Sequence, residues 1–137
     1  MTLYKKSPVG NYMAIPAIFF NFVSPKQLIR NVCKAKNIEE NKLMEKRRFR
    51  EMVIIRQCLM KIIFDNYANL SLEAIGSLLS IPNTTPYDHA TVLYAKRSIS
   101  EALEVRDHIV SPVWNELTAI VKNDLEQNKL HYPDKMK

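Results

Sequence analysis

An all-α fold of about six helices and no strand is what this 137-residue sequence predicts, and three observations carry that reading. Glycine is nearly absent, with Gly10 and Gly76 the two in the chain, which leaves too few for hairpin turns. Apolar residues recur at three- and four-residue spacing along most of the length, the period of an amphipathic helix. Several of these stretches open on a Ser or Asp, twice followed by Pro, the pairing that starts helices.

Residues 1–13 are polar with turn formers and read as a flexible arm, whose Lys5 and Lys6 are of the kind that enter minor grooves. The expected domain is 14–130. Its first stretch, Ala14–Val23, is apolar and aromatic through Phe19, Phe20 and Phe22, and is expected to pack on the domain. It follows two lysines, as a signal peptide would, yet it holds Pro16 and no small-residue cleavage pattern. It is also too short to span a bilayer, so a cytoplasmic setting is expected.

Ser24-Pro25 supplies a cap and a first helical residue, with Leu28, Ile29 and Val32 inward, to about Lys36. Ile38–Met44 predicts a short helix with Glu39 and Glu40 near its start. The run Glu45–Arg50 leads into a long helix ending near Tyr67. That helix is apolar nearly all round, apart from a stripe at Arg50, Gln57, Lys61 and Asp65, as suits a central helix. Arg56 sits beside the stripe. Ser71 caps a helix over 72–79 with Leu72, Ile75 and Leu79 inward, and Gly76 lets a neighbour approach closely. A turn with Pro82 and Pro86 follows. Asp88 then opens a helix with Val92, Ala95, Ile99, Ala102 and Leu103 inward. Ser111-Pro112 is read as the start of a last helix over about 112–128, with Trp114, Leu117, Val121 and Leu125 inward, and 131–137 as a polar tail.

Composition removes several function classes. Without a Gly-rich loop, a nucleotide hydrolase is not expected. Cys33 and Cys58 lack a Cys-x-x-Cys partner, and His89, His108 and His131 are scattered, so no metal ligand set is visible. Asp88 and His89 are neighbours on a helix, cannot face each other, and have no paired nucleophile. Neither an enzyme nor a cofactor is expected.

Charge points elsewhere. Residues 1–60 hold twelve Lys and Arg against four acids, a net +8, while the remainder carries −2. A basic half beside a mildly acidic one turns a face toward a polyanion. Lys46, Arg47, Arg48 and Arg50 crowd the start of the long helix, where cations oppose the helix dipole. Phosphates nearby would reverse that cost. The 71–106 segment reads as a helix-turn-helix, whose second helix offers its first turn to base edges in the major groove.

The same blocks carry a family resemblance. Glu45–Leu59 (EKRRFREMVIIRQCL), then LSLEAIG, then YDHATVLYAKRSI resemble the C-terminal DNA-binding domain of the bacterial replication initiator DnaA, in order and approximate spacing over about 24–106. The resemblance implies a Trp-repressor-like helix-turn-helix that binds short duplex sites called DnaA boxes. It implies minor-groove entry for Arg56 and base reading by Asp88 and His89, with Ala90 beside them able to touch a thymine methyl. It implies backbone contact for Thr91, for the run Lys46, Arg47, Arg48 and Arg50, and for the helix start at Ser71 and Leu72. Lys61, Tyr94, Lys96 and Arg97 complete the expected backbone contacts.

Departures from the family pattern fall at Tyr87 (Arg in the family), Ala90 (Thr), Glu73 (Pro or a polar residue) and Ser98 (a basic residue). The turn is about five residues longer, through SIPNTTP. No ATPase module is in the sequence, so initiator and ATP activities are not implied. Tyr87 is expected at the groove edge. Duplex DNA is the expected partner, in a nucleoid-associated setting without membrane contact, with a role in replication or transcription, on a chromosome, phage or mobile element. The alternative is a non-catalytic protein-interaction module on the same helical scaffold that has lost DNA specificity, with a partner on the C-terminal helix around Trp114–Leu125 or on the aromatic Ala14–Val23 segment.

Overall fold

A computed structural model describes residues 23–46 and 49–136, with side chains as far as Glu126 apart from Leu125. The expected arm, the aromatic stretch as far as Phe22, Arg47, Arg48, the Leu125 contact and the side chains of the expected tail lie outside the described residues. Six helices are described, α1 Pro25–Lys36, α2 Glu40–Met44, α3 Arg50–Asn66, α4 Leu72–Leu78, α5 His89–Glu104 and α6 Val110–Met136. There is no strand among the described residues.

Local chemistry sets the helix ends. The Ser24 hydroxyl accepts from the Gln27 amide at 3.1 Å ahead of Pro25. Asn37 closes α1 in the left-handed region, at φ 57°, which Asn tolerates because its short polar side chain bonds locally. Ser71 Oγ accepts from the Ala74 amide at 3.0 Å, and Asp88 Oδ1 from the Thr91 amide at 2.9 Å. Each bond satisfies one amide that a helix start leaves without a partner.

The start of α6 departs from expectation. Helix begins at Val110, so Ser111 lies inside the first turn rather than before it. Asp107 does the anchoring instead. Its Oδ1 accepts from the Ile109 amide at 3.1 Å, and its carbonyl accepts from the Ser111 amide at 2.9 Å. Pro112 is still tolerated, because the first helical amides have no intrahelical partner. The helix runs on to Met136 rather than stopping near 128.

α3 is the central helix, packed against α2, α4, α5 and α6. Ile54, Ile55, Cys58, Leu59, Met60, Ile62 and Ile63 are all buried along it, which explains why it has little polar surface to display. Val92, Ala95, Ile99 and Leu103 bury the inner face of α5, and Trp114, Leu117 and Val121 that of α6. α1 closes the core against α6 and α2, with an ion pair from Lys36 to Glu116 at 2.8 Å at its end. No helix among the described residues is long and apolar enough to cross a membrane.

Candidate nucleic-acid interface

The first turn of α5 is open to solvent. Asp88, His89, Ala90 and Thr91 are all exposed, while Val92 just behind them is fully buried. The hydrophobic side of the helix is consumed by the core, so its polar start is what remains to meet a partner. Further along the same outward side stand Tyr94, 63% exposed, and Arg97.

Asp88 has a structural task as well. Its Oδ1 accepts from the Thr91 amide at 2.9 Å and from the Thr91 hydroxyl at 2.8 Å. These bonds hold its carboxyl below the usual Asp range. The carboxylate is therefore charged and oriented, with both bonds on one oxygen. His89 Nδ1 lies 3.9 Å from the Glu73 carboxylate of α4, which places the first turns of α4 and α5 side by side.

The longer turn leaves this pairing of helices intact. Tyr87 donates its amide to Ser80 Oγ at 2.9 Å, and Ser80 Oγ donates to the Gly76 carbonyl at 2.6 Å. The base of the turn is thereby closed, and Pro82–Pro86 loop out as exposed residues. The close approach expected at Gly76 is made by backbone. A methyl there would sit 2.0 Å from the Tyr87 carbonyl oxygen.

Tyr87 itself turns inward rather than to a groove edge. Its hydroxyl donates to the carbonyls of Met44 at 3.0 Å and Glu45 at 3.2 Å. Burial pushes its phenol up, against the opposing pull of Arg56.

Arg56 is the largest departure from the expected site. It is 7% exposed. Its Nη1 donates to the carbonyls of Leu43 at 2.7 Å and Glu45 at 3.0 Å, and its guanidinium lies 5.0 Å from the centre of the Tyr87 ring. Burial pulls its pKa down. Minor-groove entry does not fit this placement, because Arg56 would have to give up a buried bond to the Leu43 carbonyl and a part-buried one to the Glu45 carbonyl. Its partners lie 11 and 13 residues upstream, and no local pattern in the sequence announces them. The inward Tyr87 was missed for the same reason.

The other expected backbone contacts divide. Lys46 and Arg50 are exposed at the basic loop, and Lys46 Nζ donates to the Thr85 carbonyl beside the start of α5. Ser71 is spent on its cap, with Leu72 half-buried behind it. Lys96 lies over the Phe64 ring at 4.9 Å and is part-buried. Lys61 is not brought to this face. It pairs with Asp65 at 2.6 Å, lies 5.6 Å from the centre of the Trp114 ring of α6, and is 12% exposed. Phe49 in the basic loop is 51% exposed, a surface aromatic that the sequence reading did not single out.

A central helix packed on by four others, a closed two-helix motif and an open, polar first turn beside cations define the helix-turn-helix class of DNA-binding modules. The family described as bacterial dnaA protein helix-turn-helix matches residues 25–99. That is more than half of the chain, and the chain belongs to this family. It is also similar to the chromosomal replication initiator protein DnaA of Leifsonia xyli subsp. xyli, with 31% identity over 104 residues. The aligned part is 76% of this chain and 20% of that protein, so the chain spans about a fifth of the relative's length. No solved structure matches. The family match ends at Ile99, ahead of α6.

Proposed function

We propose that this chain binds double-stranded DNA with sequence preference, reading the major groove with the first turn of α5. The observation that carries this reading is the exposure of Asp88, His89, Ala90 and Thr91 together on a helix whose other side is buried. The Asp88 oxygen not used by Thr91 accepts from a cytosine amino group, the His89 imidazole meets a base edge, and the Ala90 methyl meets a thymine methyl. Lys46 and Arg50, with Arg47 and Arg48 between them in sequence, set the register on phosphates. Tyr94 and Arg97 extend that contact along α5. Arg56 is left out of the reading set by its burial. Ala90 and the neighbouring Glu73 change the chemistry where bases are chosen, so the preferred site differs from the family's usual one. The similarity to a replication initiator supports a role at DNA, in control of replication or transcription within the nucleoid.

The test is fluorescence anisotropy of the full chain with random-sequence duplex at low and moderate salt, followed by selection from a random duplex pool. Affinity is expected to fall steeply with salt, as counterions released from phosphates require. His89→Ala should weaken the selected duplex by about 1–3 kcal/mol and relax preference at one position. Arg50→Ala should weaken all duplexes alike and reduce the salt slope by about 1. Binding insensitive to salt, or absent, would sink the proposal.

The interaction-module alternative would need a free apolar face on α6. The apolar face of α6 around Trp114, Leu117 and Val121 is already buried in the core.

A further inference from the structure

The end of α2 presents three successive carbonyls, those of Leu43, Met44 and Glu45, and a helix end leaves such groups without intrahelical partners. Two side chains from distant parts of the chain take all three. Arg56 of α3 holds the first and third, and the Tyr87 hydroxyl holds the second and third. The pair is locked together by the guanidinium 5.0 Å from the ring centre, and the Lys46 ammonium lies over the same ring at 5.3 Å. Cations over an aromatic ring attract its quadrupole, the more so when shielded from water.

Tyr87 is also the residue directly before the cap of α5. Its backbone is pinned by the Ser80 hydroxyl on one side and rests against Gly76 on the other. One residue thus joins three parts of the interface: the segment of chain leading into the basic loop, α4, and the first turn of α5.

We propose that Tyr87, backed by Arg56, is a positioning residue that fixes Glu45 and Lys46, where the basic run begins, relative to the first turn of α5 before DNA arrives, so that sequence discrimination depends on a side chain that reads no base. The inference rests on the DNA-binding reading above. Phosphate contacts set register and base contacts specify. The first helps the second only when the two elements are rigidly connected. Lys46, held over the Tyr87 ring and on the Thr85 carbonyl, also loses less freedom on binding than a free side chain would.

The experiment compares wild-type chain with Tyr87→Phe, which keeps the ring and loses the hydroxyl bonds. Anisotropy is read with a duplex selected from a random pool and with a random-sequence duplex, alongside a thermal melt. The expected result is a loss of about fivefold in affinity for the selected duplex, the scale of one lost hydrogen bond. Affinity for random duplex, and its salt slope, should stay unchanged. The ratio of the two affinities therefore falls. Ser80→Ala, which releases the Tyr87 amide, should lower the same ratio. A wild type that discriminates, with both variants keeping its ratio, overturns the inference alone. Parallel loss on both duplexes, tracking a lowered melting temperature, also overturns it and leaves Tyr87 a plain structural residue. A wild type that binds no duplex overturns the DNA-binding reading and this inference with it.

Discussion

Replacing Gly76 by Ala tests the contact on which the helix-turn-helix closes. Two terms oppose each other. In a helix interior, Ala is favoured over Gly by about 1 kcal/mol. The added methyl, however, would lie 2.0 Å from the Tyr87 carbonyl oxygen and 3.0 Å from its carbon. Carbon and oxygen in comfortable contact stand about 3.3 Å apart, so α4 and the lead into α5 must separate by about 1 Å. Overpacking usually costs about 1–3 kcal/mol when side chains can yield. Here the obstacle is backbone, held by Ser80 and by the Tyr87 hydroxyl, so the upper end applies. Loosening the Tyr87 hydroxyl bonds adds about 1 kcal/mol. The balance is a net loss of about 3 kcal/mol, or a melting temperature lower by about 10 °C for a chain of this size. Urea unfolding followed by far-ultraviolet circular dichroism measures it, with Ser77→Ala as the control. Ser77 is exposed on the same helix, and there only propensity acts, worth about 0.5 kcal/mol in favour of Ala. A Gly76→Ala chain as stable as the wild type would refute the reasoning.

Three further outcomes follow from individual side chains. Arg56→Met should cost about 2 kcal/mol in urea unfolding, because the buried Leu43 carbonyl loses its charged donor while the part-buried Glu45 carbonyl keeps the Tyr87 hydroxyl; a loss below about 1 kcal/mol would show that these bonds contribute little to folding. Asp88→Ala should lower the thermal midpoint and Asp88→Asn restore most of it, since both caps accept from the Thr91 amide. The folded carboxyl titrates below its ordinary value. Its stabilising share is therefore complete at neutral pH and disappears as pH falls through that lowered value, so Asp88→Asn should flatten the acid side of a stability profile. Burial pushes the Cys33 thiol from 9.0 up to about 11 and the Cys58 thiol up to about 12. Both should resist iodoacetamide in the native chain and react after unfolding, and stability should decline as pH rises above 9.0, where only the unfolded chain gives up these protons. Rapid native labelling would contradict the buried placement.

Much of the molecule is written in short-range pattern. The caps at Ser24, Ser71 and Asp88 each act on an amide three residues ahead, so their effect is visible in a few consecutive letters. The inward faces of α1, α3 and α5 follow from spacing alone, because burial on one side of a helix repeats every third or fourth residue. The exposed first turn of α5 is legible for the same reason, since its apolar residues begin only at Val92. Two local signals compete at the start of α6. Ser111-Pro112 looked like a helix start, yet Asp107 reached Ile109 first.

The tertiary structure alone decided the roles of Arg56, Tyr87 and Lys61. A basic residue on a helix reads as surface by composition, because burying a charge is costly without partners. The partners of Arg56 are carbonyls of another helix end and a ring 31 residues downstream, brought to it only when α2, α3 and α5 pack. Lys61 has a local partner in Asp65, one turn on along α3, and the docking of α6 adds the Trp114 ring beside it. The sequence by itself determined a helix-turn-helix and which turn of it stays exposed. Packing decided which cations remain exposed, because a side chain's partners across helices are set by distance in space and leave no period in the sequence.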